Sequence, residues 1–211
     1  GNAVDAAVAT AACLTVVEPT SNGIGGDAFA LVWTGGKLHG LNSSGHAPSL
    51  ADADELLNGG WEKMPLYGWK AVTVPGAPAA WAALNAKFGR LPLDVLLEPA
   101  IHYARSGFPV SPTVSLLWKK AFAGFAKNLH GGEFAHLFEC FTAEGKAPAA
   151  GQIWRCEAQA RTLEKIAETS AAAFYTGELA EAIDRFSKEH DGWLRAEDLA
   201  AFAPEWVEPI G

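Results

Sequence analysis

The chain opens on an apolar stretch that carries a single charge. From Ala3 to Val17 the residues are Ala, Val, Cys, Leu and Thr apart from Asp5, so apolar positions fall on every face of a helix. Asn2 is placed to cap that helix, and Asp5, three residues on, brings negative charge to its positive end. A helix apolar all round has to be covered on all sides, which implies sequence ahead of Gly1 that packs on it. Pro19 ends the helix, and Gly23-Ile24-Gly25-Gly26 gives the backbone freedom for a tight entry into a β-branched and aromatic strand over Ala28 to Thr34. Gly35-Gly36 predicts a hairpin turn, with Lys37 to Asn42 as the returning strand. That strand leads into the loop Ser43-Ser44-Gly45-His46-Ala47-Pro48.

Beyond the loop the pattern turns helical. A short acidic helix is expected near Ala51 to Leu57, then a strand over Ala71 to Val74 closed by Pro75-Gly76. Helices follow over Pro78 to Lys87 and over Leu93 to Ser106, where Gly107 stops the second. Ser111-Pro112 has the cap-then-proline form that opens another, reaching Leu129. Residues 130–152 are rich in Gly, Ala and Pro and read as partly loop. Glu157 to Thr169 and Glu178 to His190 are two further helices separated by Ser170 to Gly177, followed by a helical turn over Arg195 to Phe202 and an extended segment starting at Trp206-Val207. The sum is an α+β chain forming one incomplete domain. Residues 1–76 supply a buried helix, a strand hairpin and part of a sheet, 77–205 a mainly helical lobe, and 206–211 the start of a truncated strand.

Composition narrows the function classes. With 211 residues, 49% of them apolar, the chain can bury a substantial core. A formal charge of -8 with singly scattered basic residues argues against nucleic acid as a partner. The longest apolar run, Ala6 to Val17, falls short of the roughly 18 residues needed to cross a bilayer, so a membrane is not expected either. Cys13, Cys140 and Cys156 are far apart, odd in number and in no CxxC pair, which excludes a disulfide framework and an ordinary thiolate zinc site; they are expected to be inert core thiols. No charged leader precedes an apolar segment, and the compartment stays open.

Three clusters invite chemistry. The glycines at 23, 25 and 26 follow a helix and precede a strand, the reverse of a dinucleotide fingerprint, and read as a tight turn; no cofactor is expected. His130, Glu133, His136, Glu139 and Cys140 are the densest set of metal-ligand types, but their spacing matches no established site and a solvated amphipathic helix accounts for them, so no metal is expected. Ser43, Ser44 and His46 share one loop after a strand. No GxSxG elbow surrounds either serine, so the loop is read either as a substrate contact or as a hydrogen-bonded turn. The eight tryptophans are expected to anchor core and interfaces.

Several blocks, taken in order, resemble the N-terminal part of the large subunit of γ-glutamyltranspeptidases. They are Gly1-Asn2-Ala3-Val4-Asp5-Ala6-Ala7, Val17-Glu18-Pro19 with Gly23-Ile24-Gly25-Gly26-Asp27, Ala71-Val72-Thr73-Val74-Pro75-Gly76, Phe88-Gly89-Arg90-Leu91-Pro92, and Ala173-Phe174-Tyr175-Thr176-Gly177. Trp206-Val207-Glu208-Pro209 closes the series, which covers nearly the whole chain. The resemblance implies a partial αββα sandwich of the N-terminal-nucleophile (Ntn) hydrolase kind. It also implies a proenzyme whose new N-terminal threonine, on the small subunit, attacks γ-glutamyl amides such as glutathione. No threonine here has the Thr-Thr-His context of that processing site, so this chain holds no catalytic residue and is a non-catalytic partner of the small-subunit or C-terminal region.

What the family places in the loop after the second strand is an arginine for the substrate α-carboxylate. Here the Arg-Glu-Met-Ala-Pro pattern is replaced by Ser44-Gly45-His46-Ala47-Pro48. A histidine lacks the forked, permanently charged guanidinium, so a carboxylate would rely on Ser43, Ser44 and backbone amides, with a charge-assisted contact only when His46 is protonated. The departure marks an atypical member and leaves open a cephalosporin-acylase-like amide substrate, or a stand-alone binding module. Exposed apolar surface on the chain by itself is expected to promote self-association.

Overall fold

The computed structural model describes residues 1–210. Helix α1 (Ala3–Val17) is capped as expected. The Asn2 side chain accepts from the Asp5 amide at 2.9 Å, and the Asp5 carboxylate accepts from the Asn2 amide at 2.8 Å. The same carboxylate, 2% exposed, also takes the Arg90 amide at 2.9 Å, so the cap is shared with a loop far along the chain. Burial pushes its pKa up, but backbone donors from Arg90, Asn2 and Leu91 outweigh that and hold it below the ordinary carboxylate range. A depressed carboxylate contributes stability that is complete above its unfolded pKa and is lost as pH falls through its folded value. The stability gap between wild type and Asp5→Asn is therefore expected to be widest near neutral pH and to shrink below about pH 4 in urea titrations.

Within residues 1–210, α1 is covered on one side. Asp5, Val8, Ala12, Thr15 and Val16 form its buried stripe, while Ala3, Ala6, Ala7 and Thr10 are exposed. Alanine makes this tolerable, because a methyl group leaves little apolar area in water.

Strands β1 (Ala28–Thr34) and β2 (Lys37–Ser43) form the predicted antiparallel hairpin, with Ala28 opposite Ser43 and Thr34 opposite Lys37. Both turn glycines have positive φ, 58° at Gly35 and 77° at Gly36, as the tight two-residue turn requires. Ser43 thus belongs to the strand and not to the loop. A third strand from the far end of the chain, β5 (Glu205–Val207), pairs antiparallel with β2 and puts Glu205 opposite Asn42.

Between β2 and β5 the chain is helical. The elements are α2 (Ala53–Asn58), α3 (Ala77–Phe88), α4 (Leu93–Ser106), α5 (Pro112–Asn128), α6 (Ala135–Phe141), α7 (Glu157–Glu168), α8 (Ala172–Thr176), α9 (Glu178–Glu189) and α10 (Ala196–Ala201). A two-residue ladder of β3 (Phe108–Pro109) with β4 (Ile153–Trp154) lies among them. The core joins Val8, Ala12 and Val16 of α1 to Trp81 of α3, Leu93, Leu96 and Leu97 of α4, and Leu163 and Ile166 of α7. Trp118 and Trp154 meet edge to face at 5.3 Å between centroids.

One expected element needs correction. Ala71 to Val74 is not a strand: residues 69–71 form a 3-10 turn, and the extended run after it makes isolated bonds, Val74 N–H to His46 O at 3.1 Å and Gly76 N–H to Gly26 O at 3.0 Å. Pro75 has no N–H to continue a ladder. The stretch between α7 and α9 holds a further helix, α8, and the amphipathic helix expected within the partly loop-like residues 130–152 is α6.

One face of the β1-β2-β5 sheet packs against α3. The other presents Phe29, Leu31 and Trp33, each about 70% exposed (69%, 69% and 70%). No helix among the described residues is long and apolar enough to cross a membrane.

Candidate functional site

The loop after β2 is held by backbone contacts from three directions. The Ser43 hydroxyl, fully buried, donates to Gly76 O at 2.7 Å; Gly45 N–H donates to Asp27 Oδ1 at 3.1 Å; Val74 N–H donates to His46 O. On its far side Ser49 N–H donates to Asp198 Oδ1 at 2.9 Å. The chain segments meet closely enough that a β-carbon on Gly45 would overlap the Val74 carbonyl, and one on Gly76 would overlap the Ser43 carbonyl. Glycine is needed at both positions for lack of room.

Of the three predicted contact residues, the structure brings two to a surface. Ser44 and His46 are exposed and line a cavity of about 400 Å³ together with Asn42. Ser43 points away, its hydroxyl committed to Gly76, so it positions the loop and is not free to donate to a ligand. Ser44 donates both its N–H and its hydroxyl to Asn42 Oδ1, at 3.0 and 2.9 Å, and its oxygen lone pairs stay open. His46 Nδ1 lies 2.9 Å from Ala47 O. A carbonyl only accepts, so Nδ1 carries the hydrogen and the neutral ring offers Nε2 as an acceptor. Nε2 becomes a donor on protonation.

The opposite wall, Ala201, Phe202, Ala203, Pro204 and Glu205, was not legible as part of a site. It is there because β5 pairs with β2 and sets Glu205 across from Asn42. Phe202 lies between the His46 ring, at 6.2 Å, and Tyr175, at 5.6 Å and nearly parallel. Tyr175 in turn donates to Pro75 O at 2.7 Å and accepts from Ala79 N–H at 3.1 Å, and burial pushes its hydroxyl pKa well above the ordinary range.

Asp198 couples the two walls. One oxygen takes the Ser49 amide and the other the Arg195 amide at 2.9 Å, at the start of α10, whose end leads into the second wall. Burial raises its pKa, but the donors from Ser49 and Arg195 and the nearby His46 bring it below the ordinary carboxylate value. Removing this carboxylate strands two amides. Asp198→Ala is expected to lower stability by about 2 kcal/mol in chemical denaturation.

The predicted ligand-type cluster at residues 130–140 does not converge. His136 bonds Glu139 at 2.9 Å in an exposed pair, His130 contacts Lys127 O, and Cys140 lines a different cavity together with Cys156. No grouping of three or more metal-ligand side chains occurs among the described residues.

A sheet with helices on one face and an apolar, open second face is half of an αββα layer arrangement, the architecture of Ntn hydrolases. The family model for γ-glutamyltranspeptidase matches residues 1–211, and the chain belongs to that family. It is 36% identical to a glutathione hydrolase-like YwrD proenzyme of Bacillus subtilis, covering all of this chain and 39% of that protein. It is 34% identical to a glutathione hydrolase proenzyme of Pseudomonas aeruginosa, where it covers 36% of the length. Among solved structures, a cephalosporin acylase from Bacillus halodurans superposes with a TM-score of 0.97 at 51% identity, over 99% of this chain and 39% of that one. The Helicobacter pylori γ-glutamyltranspeptidase does so at 0.86 and 30%, over 99% and 60%. The chain therefore spans under two-fifths of the length of these curated relatives.

Proposed function

We propose that this chain is the non-catalytic, large-subunit portion of an amidohydrolase that transfers or hydrolyses γ-glutamyl amides, and that its cavity grips the amino-acid end of the substrate. The observation that carries the reading is the pairing of opposite polarities across one cavity. His46 and Ser44 form one wall and Glu205 stands on the other. Protonated His46 suits the α-carboxylate, and Glu205 suits the α-ammonium group. The nucleophile and the oxyanion donors come from the remainder of the protein, for which the open Phe29-Leu31-Trp33 face is a fitting seat. A chain deprived of that remainder is expected to self-associate through the same face.

A second reading, a cephalosporin-type acyl substrate, is favoured by the 51% identity to the acylase and by the absence of an arginine in the loop. A glutaryl group carries the same terminal carboxylate as γ-glutamyl but no α-ammonium, so Glu205 separates the two. In the full-length protein, release of p-nitroaniline from γ-glutamyl-p-nitroanilide is expected to exceed hydrolysis of glutaryl-7-aminocephalosporanic acid, and Glu205→Gln to narrow that preference. A wild-type preference for the glutaryl substrate, unchanged or increased by Glu205→Gln, would establish the second reading instead.

A further inference from the structure

The three cysteines do not share one fate. Cys13 sits in α1, half-buried, where burial and then Glu98 raise its pKa. Cys140, in the last turn of α6, and Cys156, the residue that precedes α7, come together on one cavity of about 360 Å³ that both line, and Cys156 is, after burial, the neighbour that most raises the Cys140 pKa. The two lie sixteen residues apart in sequence and share a cavity because α6 and β4 fold the intervening segment back on itself. Ala143 and Lys146 exchange backbone bonds of 2.8 and 3.0 Å, and Gln152 and Gly151 bond to Val110 at 3.0 and 2.8 Å. Sequence separation therefore says nothing about their spatial separation.

We propose that Cys140 and Cys156 are a redox-active dithiol, oxidised by low-molecular-weight disulfides to an intramolecular disulfide. In the first step the thiolate of one cysteine attacks a sulfur of the oxidant, forming a mixed disulfide and releasing one small thiol. The second cysteine, as thiolate, then displaces the other small thiol. Two protein thiols are oxidised, one small disulfide is reduced to two thiols, and the two protons pass to the departing thiolates.

Cys140 is half-buried and opens on the cavity, whereas Cys156 is 7% exposed, so Cys140 is the entry point and Cys156 the resolving thiol. Burial, Cys156 and Glu139 keep the Cys140 thiol protonated, against Arg161, which makes exchange slow and suits the pair to sustained oxidising conditions more than to catalysis.

The pair is placed to matter beyond its own lobe. The facing wall of the cavity is the turn of Gly23, Ile24 and Gly25. The next residues of that turn hold the site scaffold: Gly26 O accepts from Gly76 and Ala77, at 3.0 and 2.9 Å, and Asp27 accepts from Gly45. A disulfide fixes one wall of this cavity and leaves the site residues untouched, so the proposal does not depend on the substrate reading above.

The test is differential alkylation of the full-length protein after equilibration with glutathione disulfide, followed by tryptic mapping. Cys140 lies in peptide 128–146, Cys156 in 156–161 and Cys13 in the peptide that ends at Lys37, so the three report separately. The expected result is loss of alkylation at Cys140 and Cys156 together, a disulfide-linked 128–146/156–161 pair that dithiothreitol releases, and undiminished alkylation of Cys13. Cys156→Ser should leave glutathione trapped on Cys140. Independently of any variant, phenylarsine oxide, which bridges two neighbouring thiols, should protect both cysteines of the reduced wild type from alkylation. A stable glutathione adduct on wild-type Cys140 with Cys156 free, a linkage through Cys13, or no protection by the arsenical would overturn the proposal.

Discussion

Replacing Gly45 by alanine is expected to destabilise the protein by roughly 3 kcal/mol or more, a fall in Tm of about 10 °C, and to abolish binding at the neighbouring cavity. The new β-carbon would overlap the carbonyl group of Val74, and neither side can retreat. Val74 is fully buried. Its neighbours are fixed by Tyr175 on Pro75 O, by Ser43 on Gly76 O, and by Gly26 O, which takes two amides. On the other side Gly45 is tied to Asp27 and the loop to Asp198 through Ser49. Relief of the overlap therefore breaks several buried hydrogen bonds at once. Gly25→Ala is the matched control: nothing lies within 4 Å of a β-carbon there, and its cost should stay within about 0.5 kcal/mol. Thermal and urea denaturation of the two variants decide the point, and equal costs would mean that the crowding at Gly45 is not what its glycine serves.

That contrast also marks where local reading of the chain stops. Helix α1, the β1–β2 hairpin and the caps at Asn2 and Ser111 were legible because each depends on residues within a few positions of one another. The turn glycines at 35 and 36 belong to the same class. Gly45 and Gly76 do not, since the need for glycine comes from Val74 and Ser43, brought there by tertiary folding. Ser43 looked like a loop hydroxyl free to meet a ligand and is instead a buried tie, because the strand runs one residue further than its hydrophobic pattern shows. Val72 to Gly76 has strand-like composition without strand pairing, since proline interrupts the donors. The second wall of the cavity was invisible for a related reason. The exposed Glu205 reaches the cavity wall only because β5 lies beside β2, and no periodicity encodes that pairing. The cysteine pair belongs with it, as two thiols that only the folded lobe brings together.

His46→Arg is expected to lower KM for γ-glutamyl-p-nitroanilide by about tenfold or more with little change in kcat. In the neutral His46 ring Nδ1 carries the hydrogen. With that hydrogen held by Ala47 O, the neutral imidazole turns an acceptor toward the cavity, which repels a carboxylate, and only the protonated ring donates. An arginine at this position donates in every protonation state and through two parallel N–H groups, matching the geometry of a carboxylate. The neighbouring groups leave space for the longer side chain, since His46 is exposed and faces a cavity of about 400 Å³. Because the gain comes from binding a group remote from the scissile amide, it stabilises ground and transition states alike and appears in KM. His46→Gln supplies the comparison: it keeps a polar side chain without a charge, and should not reproduce the effect. An unchanged KM in the arginine variant, with the protein folded, would remove position 46 from the substrate-binding surface. The carboxylate would then have to be held by the part of the protein that lies outside this chain.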